Sequence, residues 1–413
     1  MVSLKEFNGR YCESEYEYAF IGFLEAEGWI YTFGNNISRV TKRDVLIAAD
    51  FKKFIADTNP DLMEDEVTQI FDNVRLVGSE SDFATLHKVY SWMVDGVRFT
   101  PQYGLVKMIP LIDFENWDKN IFRVVNQFTV EYTNNGQKQN RRQDVLLFVN
   151  GIPLCVIELK NPADANATIY DAWEQINIRY WRDIPHLLHY CPLACISDGV
   201  KTRLGTVRTS YEHFYAWRRV NDGDKISTLP FAETETMIKG VYAPERFLEI
   251  FRDYIYFQDS IYDSSEVEIV CRYPQFFAAR LLKQSIVNSV ATKSGKGGTY
   301  FGATGCGKTY TMAFLARQLA LRCTDIPEIG SPTIILIVDR EELQKQGAKL
   351  FTKSKEFLNL GEVSVVKNRT QLRQELGARQ SGGFYICTIQ KFCDREDDKI
   401  GIINDRQNII CFS

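Results

Sequence analysis

Two kinds of hydrophobic pattern alternate along the chain. Apolar residues spaced three or four positions apart predict amphipathic helices, and short continuous apolar runs predict buried strands. In the second half, the run at 333–338 precedes a helical segment, and the run at 408–413 ends the sequence. Strands that alternate with helices in this way favour an α/β fold with a parallel sheet.

The first half contains two apolar runs joined by Asn150-Gly151, a strong hairpin signal. Asp144 opens the first run, and Glu158 lies near the end of the second. A two-residue loop would pair Glu158 with Gln143 and leave Asp144 on the opposite face of the hairpin. We therefore predict a three-residue loop, with a bulge that places the glycine in a left-handed conformation and brings the two acids together.

The polar ends of this hairpin suggest metal-dependent chemistry. Asp144 and Glu158, if they converge, can bind Mg²⁺ or Mn²⁺. Lys160 lies two residues after Glu158, on the same face of the strand, where it can orient a water or stabilise charge on a phosphate. The alternative is a buried hairpin whose strand ends carry structural ion pairs.

A glycine-rich segment at 302–309 fits the phosphate-binding pattern G-x-x-x-x-G-K-[ST]. We expect a short strand at 298–301 before it and a helix at 309–321 after it, so that backbone N–H groups and the helix N-terminus surround a triphosphate. Lys308 would reach the β- and γ-phosphates, and the Thr309 hydroxyl would hold Mg²⁺. The predicted nucleotide-binding residues of the loop are Gly302, Thr304, Gly305, Cys306, Gly307, Lys308 and Thr309. An ordinary glycine turn before a helix is the alternative.

Composition limits the class of protein. A chain of 413 residues suggests about two or three domains, and 45% apolar residues are sufficient for packed cores. The net charge of -4 provides no global basic field, so contact with nucleic acid would need local patches. The ten cysteines show no paired metal-binding spacing, and no apolar run reaches the length of a membrane span. We expect a cytoplasmic protein with reduced thiols and no membrane partner.

The acid pair with its lysine resembles the PD-(D/E)xK nuclease family, and its position before a motor segment is similar to the R (HsdR) subunit of type I restriction-modification enzymes. The resemblance implies that an acid of the first helix, Glu17 or in its place Glu13, lies beside the metal. It also implies that Gln175 and Tyr180 help to dock DNA there. Four residues separate this pair where relatives have three, so on an α-helix they would lie about 140° apart. The alternatives are a solvated helix edge for Glu17 and a core aromatic for Tyr180.

The second half resembles superfamily 2 helicases. Gln275 matches the adenine-recognising Q motif, with Arg272 or Tyr273 stacking on the base; a helix-capping role is the alternative. The segments 339–346 and 388–392 resemble motifs that contact the DNA backbone in that superfamily. Arg340 and Gln346 can equally be helix-surface residues.

These observations predict an α/β protein. Residues 1–240 form a restriction-endonuclease-like nuclease domain with a mixed central sheet, and residues 241–271 form a connector. Residues 272–413 form the first RecA-like helicase lobe with a parallel sheet, truncated before the Walker B acids. We expect a fragment of a longer R subunit that lacks ATP turnover, because phosphoryl transfer needs those acids.

The resemblance implies a function for the whole protein. It would use ATP and Mg²⁺ to move double-stranded DNA and cut both strands, together with methyltransferase and specificity subunits. A different possibility is an ATP-gated DNA-binding or remodelling module with an inactive nuclease fold. A small-molecule kinase is disfavoured, because the segments 339–340 and 388–390 have no role in such an enzyme.

Overall fold

The computed structural model describes residues 13–78, 80–160, 168–227, 229, 231–258, 266–353, 355–358, 361, 363–392 and 401–413. The chain divides into two compact units. Unit 1 contains the residues up to Arg252 together with 268–270, and unit 2 contains 253–267 and everything from Cys271 onward. The functional boundaries at 240 and 272 remain predictions, because such a division reflects packing and not activity.

Unit 1 combines a central sheet with short helices. Its strands are β1 (Ile30–Phe33), β2 (Val97–Phe99), β3 (Lys107–Ile109), β4 (Phe122–Asn134), β5 (Gln137–Val149), β6 (Ile152–Leu159), β7 (Leu193–Ser197) and β8 (Thr202–Thr206). Its helices are α1 (Glu13–Ala26), α2 (Ala48–Thr58), α3 (Glu64–Arg75), α4 (Asp82–Asp95), α5 (Ile169–Glu174), α6 (Trp181–Asp183), α7 (Pro185–Leu188), α8 (Ala232–Met237) and α9 (Pro244–Asp253), the last residue of which belongs to unit 2. Two π-helical segments, Gln175–Tyr180 and Ile238–Tyr242, follow α5 and α8.

The central sheet of unit 1 has six strands in the order β1-β4-β5-β6-β7-β8. The pairs β1/β4 and β6/β7 are parallel, and the other three pairs are antiparallel. The predicted mixed sheet is therefore confirmed. Strand β6 is buried along its whole length, as expected for a strand covered on both faces.

The hairpin of β5 and β6 differs from the prediction in one respect. Val149 pairs with Ile152, so the loop contains two residues and the predicted three-residue loop is wrong. The predicted register shift is present, but it lies inside the ladder between Leu147 and Phe148, where Leu154 is the extra residue of β6. A bulge in the strand changes the pairing by one residue, as a longer loop would, and leaves the tight turn intact.

The turn itself shows why a two-residue loop is possible. Asn150 and Gly151 both have positive φ, 51° and 74°, the combination that a type I′ hairpin turn requires. The left-handed glycine was predicted and is confirmed. A Cβ at Gly151 would lie 2.2 Å from the carbonyl oxygen of Ile47, so only glycine fits.

The helix after the hairpin contains a second irregularity. Gln175 and Tyr180 are the first and last residues of a π-helical segment, in which backbone hydrogen bonds span five residues. A five-residue spacing is therefore close to one turn, and the expected separation of about 140° is wrong, because it assumed α-helical geometry. Both side chains reach the same place, with 2.9 Å between Gln175 Nε2 and Tyr180 Oη.

Unit 2 contains a parallel sheet, as predicted. Its strands are β11 (Thr333–Val338), β12 (Val363–Val365), β13 (Phe384–Thr388) and β14 (Ile409–Phe412), in the order β12-β13-β11-β14 with every pair parallel. Its helices are α10 (Tyr273–Thr292), α11 (Lys308–Leu321), α12 (Glu341–Lys353), α13 (Lys355–Leu358) and α14 (Arg369–Gly377). The short strands β9 (Ile255–Gln258) and β10 (Val267–Val270) lie where the sequence passes between the two units.

The strand expected at 298–301, before the glycine-rich loop, does not form. These residues have no regular structure, and Phe301 is 95% exposed. Two glycines begin the segment at 297–298, and glycine loses more backbone entropy than any other residue when it joins a strand. The helix expected after the loop does form, as α11.

Candidate functional site

The bulge in β6 brings the two acids of the hairpin together. Val145 pairs with Ile157, so continuation of the ladder places Asp144 opposite Glu158. The backbone N–H of Leu159 donates to Asp144 Oδ2 at 2.8 Å. Glu158 is fully buried, whereas Asp144 is half-buried at the end of the hairpin ladder.

Three further predicted residues surround Glu158. Tyr180 Oη donates to Glu158 Oε1 at 2.5 Å, and Gln175 Nε2 donates to Glu158 Oε2 at 2.6 Å. Lys160 Nζ donates to Gln175 Oε1 at 3.0 Å, and the Lys160 backbone N–H continues the ladder to Ser197. The π-helical turn is what allows Gln175 and Tyr180 to bind one carboxyl group.

Burial and charge determine the protonation of this cluster. Burial raises the pKa of Glu158 well above its ordinary value, and the neighbouring charge of Asp144 raises it further. Burial also raises the pKa of the Tyr180 phenol, with the charge of Glu158 as the next cause. Glu158 therefore retains its proton at pH values where an exposed glutamic acid is ionised.

Glu17 lies on α1 and is bound by strand β4. It is 5% exposed, and its two carboxylate oxygens accept hydrogen bonds from Asn126 Nδ2 and Gln127 Nε2, both at 2.6 Å. Gln127 occupies the β4 position opposite Asp144, between the pairs on either side, and has a φ of 51°. Consecutive strand residues normally point to opposite faces, so the left-handed residue is what lets both amides reach one carboxylate.

The position of Glu17 beside a bound metal stays a prediction. Among the described residues, no three acidic, histidine or cysteine side chains form a group that could hold a metal. The side chain of Glu13, the alternative acid, lies outside the described part of the chain, as does the Asn161-Pro162 segment. Sequence reasoning missed Asn126 and Gln127, although two adjacent amides that interrupt the apolar run of β4 are a visible signal.

Asp144 and Glu158 still fit a divalent cation. Mg²⁺ is commonly held by one or two carboxylates, with waters and substrate phosphates as the remaining ligands. Burial, and after it the neighbouring charge of Asp144, raises the pKa of Glu158, and a bound cation would offset both effects. The donor set is therefore suited to an ion that is completed by solvent and substrate.

The glycine-rich loop of unit 2 binds to itself. Gly305 and Gly307 have φ of 78° and 82°, and Gly307 precedes the first residue of α11. Lys308 Nζ donates to the carbonyl oxygens of Gly302 and Ala303, at 2.6 and 3.0 Å. Thr309 is the second residue of α11, directly after the loop, and is half-buried. The predicted set also includes Thr304 and Cys306, of which Thr304 is exposed and Cys306 is half-buried.

Gln275 links this loop to the start of α10. Its Oε1 accepts from the Arg272 backbone N–H at 2.8 Å, and its Nε2 donates to the Gly307 carbonyl at 3.0 Å. The side chain is 3% exposed. Both the oxygen and the nitrogen of the amide therefore bind backbone groups, and the contact with Arg272 caps the start of α10. Recognition of adenine by Gln275 remains a prediction.

The two predicted DNA-contact segments of unit 2 lie at the carboxyl ends of neighbouring strands. Residues 339–346 follow β11, and residues 388–392 begin at the last residue of β13, which pairs with β11. Gln390 Nε2 donates to the Asp339 carbonyl at 2.8 Å and joins the two segments. Arg340 is exposed, and the Gln346 side chain lies outside the described residues.

An acid pair with a lysine in a mixed sheet, followed in the sequence by a glycine-rich loop before a parallel sheet, is consistent with a nuclease domain joined to an ATPase-type domain. Family models agree with this class. Residues 11–213 match "Type I restriction enzyme R protein N terminus", and residues 274–413 match "SWI2/SNF2 ATPase".

Curated relatives name the family more closely. The chain is 30% identical over 97% of its length to the "Type I restriction enzyme HindI endonuclease subunit" of Haemophilus influenzae, covering 38% of that protein. It is 28% identical over 95% of its length to the "Putative type I restriction enzyme MjaIXP endonuclease subunit" of Methanocaldococcus jannaschii, covering 39%. The chain belongs to the R (endonuclease) subunit family of type I restriction enzymes.

The chain spans about two fifths of the length of these two relatives. Among the described residues, no helix is long and apolar enough to cross a bilayer.

Proposed function

We propose that unit 1 is a PD-(D/E)xK-type, restriction-endonuclease-like domain that cleaves duplex DNA with Mg²⁺. The observation that carries this proposal is the one-residue bulge in β6, because it places Asp144 opposite Glu158 although the tight turn alone would separate them. Bulges are over-represented next to active sites, where they redirect a side chain.

The roles of the residues follow from their contacts. Asp144 and Glu158 would hold the cation, which supplies Lewis acidity at the scissile phosphate and lowers the pKa of a bound water. Lys160, fixed by Gln175, would orient the attacking water or stabilise the charge that develops on phosphate. Gln175 and Tyr180 keep the Glu158 side chain in one orientation. Glu17 would act from outside the cation's ligands, through Gln127.

Unit 2 is proposed to be the first RecA-like lobe of an ATP-driven DNA translocase. Lys308 and Thr309 would hold the triphosphate and its Mg²⁺, which requires Lys308 to leave the loop carbonyls that it now contacts. We also propose that this length of chain does not turn ATP over. The whole protein would act in the cytoplasm with methyltransferase and specificity subunits. It would translocate along double-stranded DNA and cut both strands.

The experiment is a titration of Mn²⁺ by calorimetry into the chain and into the Asp144→Ala and Glu158→Ala variants, with the fold checked by circular dichroism. Saturable binding that is lost in both variants, together with Mn²⁺-dependent nicking of plasmid DNA, is the expected result. Lys308→Ala is the matched control, because it changes the other proposed site and should leave Mn²⁺ binding by the acid pair unchanged.

Binding that is indifferent to both acids would overturn the proposal. The hairpin would then be structural, and the chain would be an ATP-gated DNA-binding or remodelling module with an inactive nuclease fold. Binding without nicking would retain the metal site and reject catalysis by this length of chain.

A further inference from the structure

Strands β4 and β5 extend well beyond the other strands of their sheet. Each has 13 residues, whereas strands in globular proteins usually have about 5–6. Strand β1 pairs with β4 as far as Asn126, and β6 pairs with β5 from Val145 onward. Residues 128–143 therefore form a two-stranded ribbon in which, among the described strands, β4 and β5 pair only with each other.

One face of this ribbon contacts the rest of unit 1. Arg141 forms an ion pair with Asp183 of α6 and lies over the ring of Tyr132. Tyr132 Oη in turn donates to Gln139 Oε1 at 2.7 Å. These three ribbon side chains share a face because Tyr132 pairs with Gln139 and Arg141 is two residues along the strand.

The opposite face is polar and open. It carries no large apolar side chain; its members are Thr129, Glu131, Thr133, Lys138, Asn140 and Arg142. Four of these residues are exposed: Thr133, Lys138, Asn140 and Arg142. Lys138 and Arg142 outnumber the one acid, Glu131, so this face is positive in a chain whose net charge is -4. The ion pair between Lys138 and Glu131 is largely exposed and contributes little to stability.

The base of the ribbon is the proposed catalytic site. Arg142 is two residues from Asp144, and its carbonyl oxygen lies 3.4 Å from the Tyr180 Oη that donates to Glu158. At about 3.4 Å per residue, Arg142 and Lys138 lie roughly 14 Å apart. That separation is close to four base-pair steps of about 3.4 Å, so both cations can face phosphates along one stretch of duplex.

We propose that the open face of the ribbon binds the sugar–phosphate backbone of duplex DNA beside the acid pair. The proposal rests on the proposed nuclease function, because it supplies the substrate contact that lies next to the scissile bond. Arg142 and Lys138 pair with phosphates, and Asn140 and Thr133 donate hydrogen bonds to phosphate oxygens. A two-stranded ribbon is also narrow enough to follow a DNA groove.

The test is fluorescence anisotropy of a labelled duplex with the chain in EDTA, over a series of KCl concentrations. The Arg142→Gln/Lys138→Gln double variant should bind more weakly, and the slope of log K against log salt should become shallower by about 1.8, or about 0.9 for each lost phosphate contact. The control is Lys119→Gln/Lys225→Gln, which removes two exposed cations of unit 1 outside the ribbon. The control should leave the slope unchanged.

An unchanged slope in the ribbon variant, with its fold intact by circular dichroism, overturns the proposal. Asp144→Ala separates this outcome from failure of the nuclease function. If Asp144→Ala keeps the ribbon-dependent slope while the parent chain does not cut DNA with Mn²⁺, the ribbon binds DNA and the nuclease proposal fails. If the parent cuts but the slope does not depend on the ribbon, the ribbon face serves another partner, such as an acidic protein surface.

Discussion

The acid pair of unit 1 and the glycine-rich loop of unit 2 are built in opposite ways. Asp144 and Glu158 lie on paired strands, and helix side chains from elsewhere in the sequence hold Glu158. The glycine-rich loop has no strand at the described residues 298–301 directly before it, and Lys308 donates to the loop's own carbonyl oxygens. A site on strands therefore depends on register, whereas a site on a loop depends on residues that tolerate positive φ.

The largest effect is expected at the loop. Gly307→Ala places a Cβ 2.5 Å from Gln275 Nε2 at a φ of 82°. The left-handed conformation costs alanine about 1–2 kcal/mol, and Gln275 must also move. We expect a lower melting temperature and at least a roughly tenfold loss of affinity for a non-hydrolysable ATP analogue, measured by calorimetry.

The matched control is Gly297→Ala in the segment that leads to the loop. Gly297 has no positive φ, and nothing lies within 4 Å of the position that a Cβ would occupy there. Equal losses in both variants would show that glycine geometry at 307 does not define the loop.

The next effect is the pH dependence of stability that Glu158 of the acid pair contributes. Glu158 has a raised pKa in the fold, so the folded state holds a proton that the unfolded chain has released. Its contribution to stability is complete below the unfolded pKa and is lost as pH rises through the folded pKa, by about 1.4 kcal/mol per unit within that window. Melting temperatures against pH should therefore fall less steeply for Glu158→Gln than for the parent chain.

Glu268 also has a raised pKa, but it is present in both proteins, so the difference between the curves isolates Glu158. Mn²⁺ should displace the proton, and its affinity should rise up to roughly tenfold per pH unit in the same window. Parallel melting curves would show that Glu158 is ionised in the fold.

A smaller effect is expected at Gln127, which lies in strand β4 and also has a positive φ. Glycine is normally the less stable residue in a strand interior. At a φ of 51° the order should reverse, so Gln127→Ala should be less stable than Gln127→Gly by about 1 kcal/mol. Chemical denaturation of both variants measures this difference, and both lose the amide that binds Glu17. A more stable alanine variant would mean that the backbone at 127 is extended.

The smallest effect is expected from removing one residue. Deletion of the exposed Ile178 shortens the π-helical turn to an α-helical one and leaves Gln175 and Tyr180 one turn apart. We expect a change of less than about 1 kcal/mol in stability and retained Mn²⁺ binding, because the flanking residues keep their faces.

Deletion of Gln69 in the regular helix α3 is the control. It rotates half of the buried stripe by about 100° and should destabilise unit 1 strongly. Similar damage from both deletions would contradict the role of the π-helical turn.

Much of the fold could be predicted from local sequence. The apolar runs at 333–338 and 152–159 are strands, and the alternation of elements after 272 forms a parallel sheet. The acid pair was predicted because Asp144 and Glu158 lie at the polar ends of the hairpin, and carboxylates that converge can bind Mg²⁺ or Mn²⁺. The strand at 298–301 was wrongly predicted, because a run of apolar and polar residues does not reveal whether a partner strand will cover it.

The geometry of the site could be predicted only in outline. A register shift was required to bring Asp144 to Glu158, yet its position at Leu154 depends on how β6 packs between β5 and β7. The five-residue spacing of Gln175 and Tyr180 looked unfavourable until the π-helical turn placed both on Glu158. Local propensity contains no term for such irregularities, because contacts with distant parts of the chain stabilise them.

By itself, the sequence determined which residue types are available to hold a cation or a phosphate, and in which order the two candidate sites follow. The tertiary structure alone decided that Gln127 turns left-handed to bind Glu17, and that a polar ribbon extends from the acid pair. The physical reason is that residue types and short spacings are local properties, whereas strain and long-range pairing are set by the packing of the whole unit.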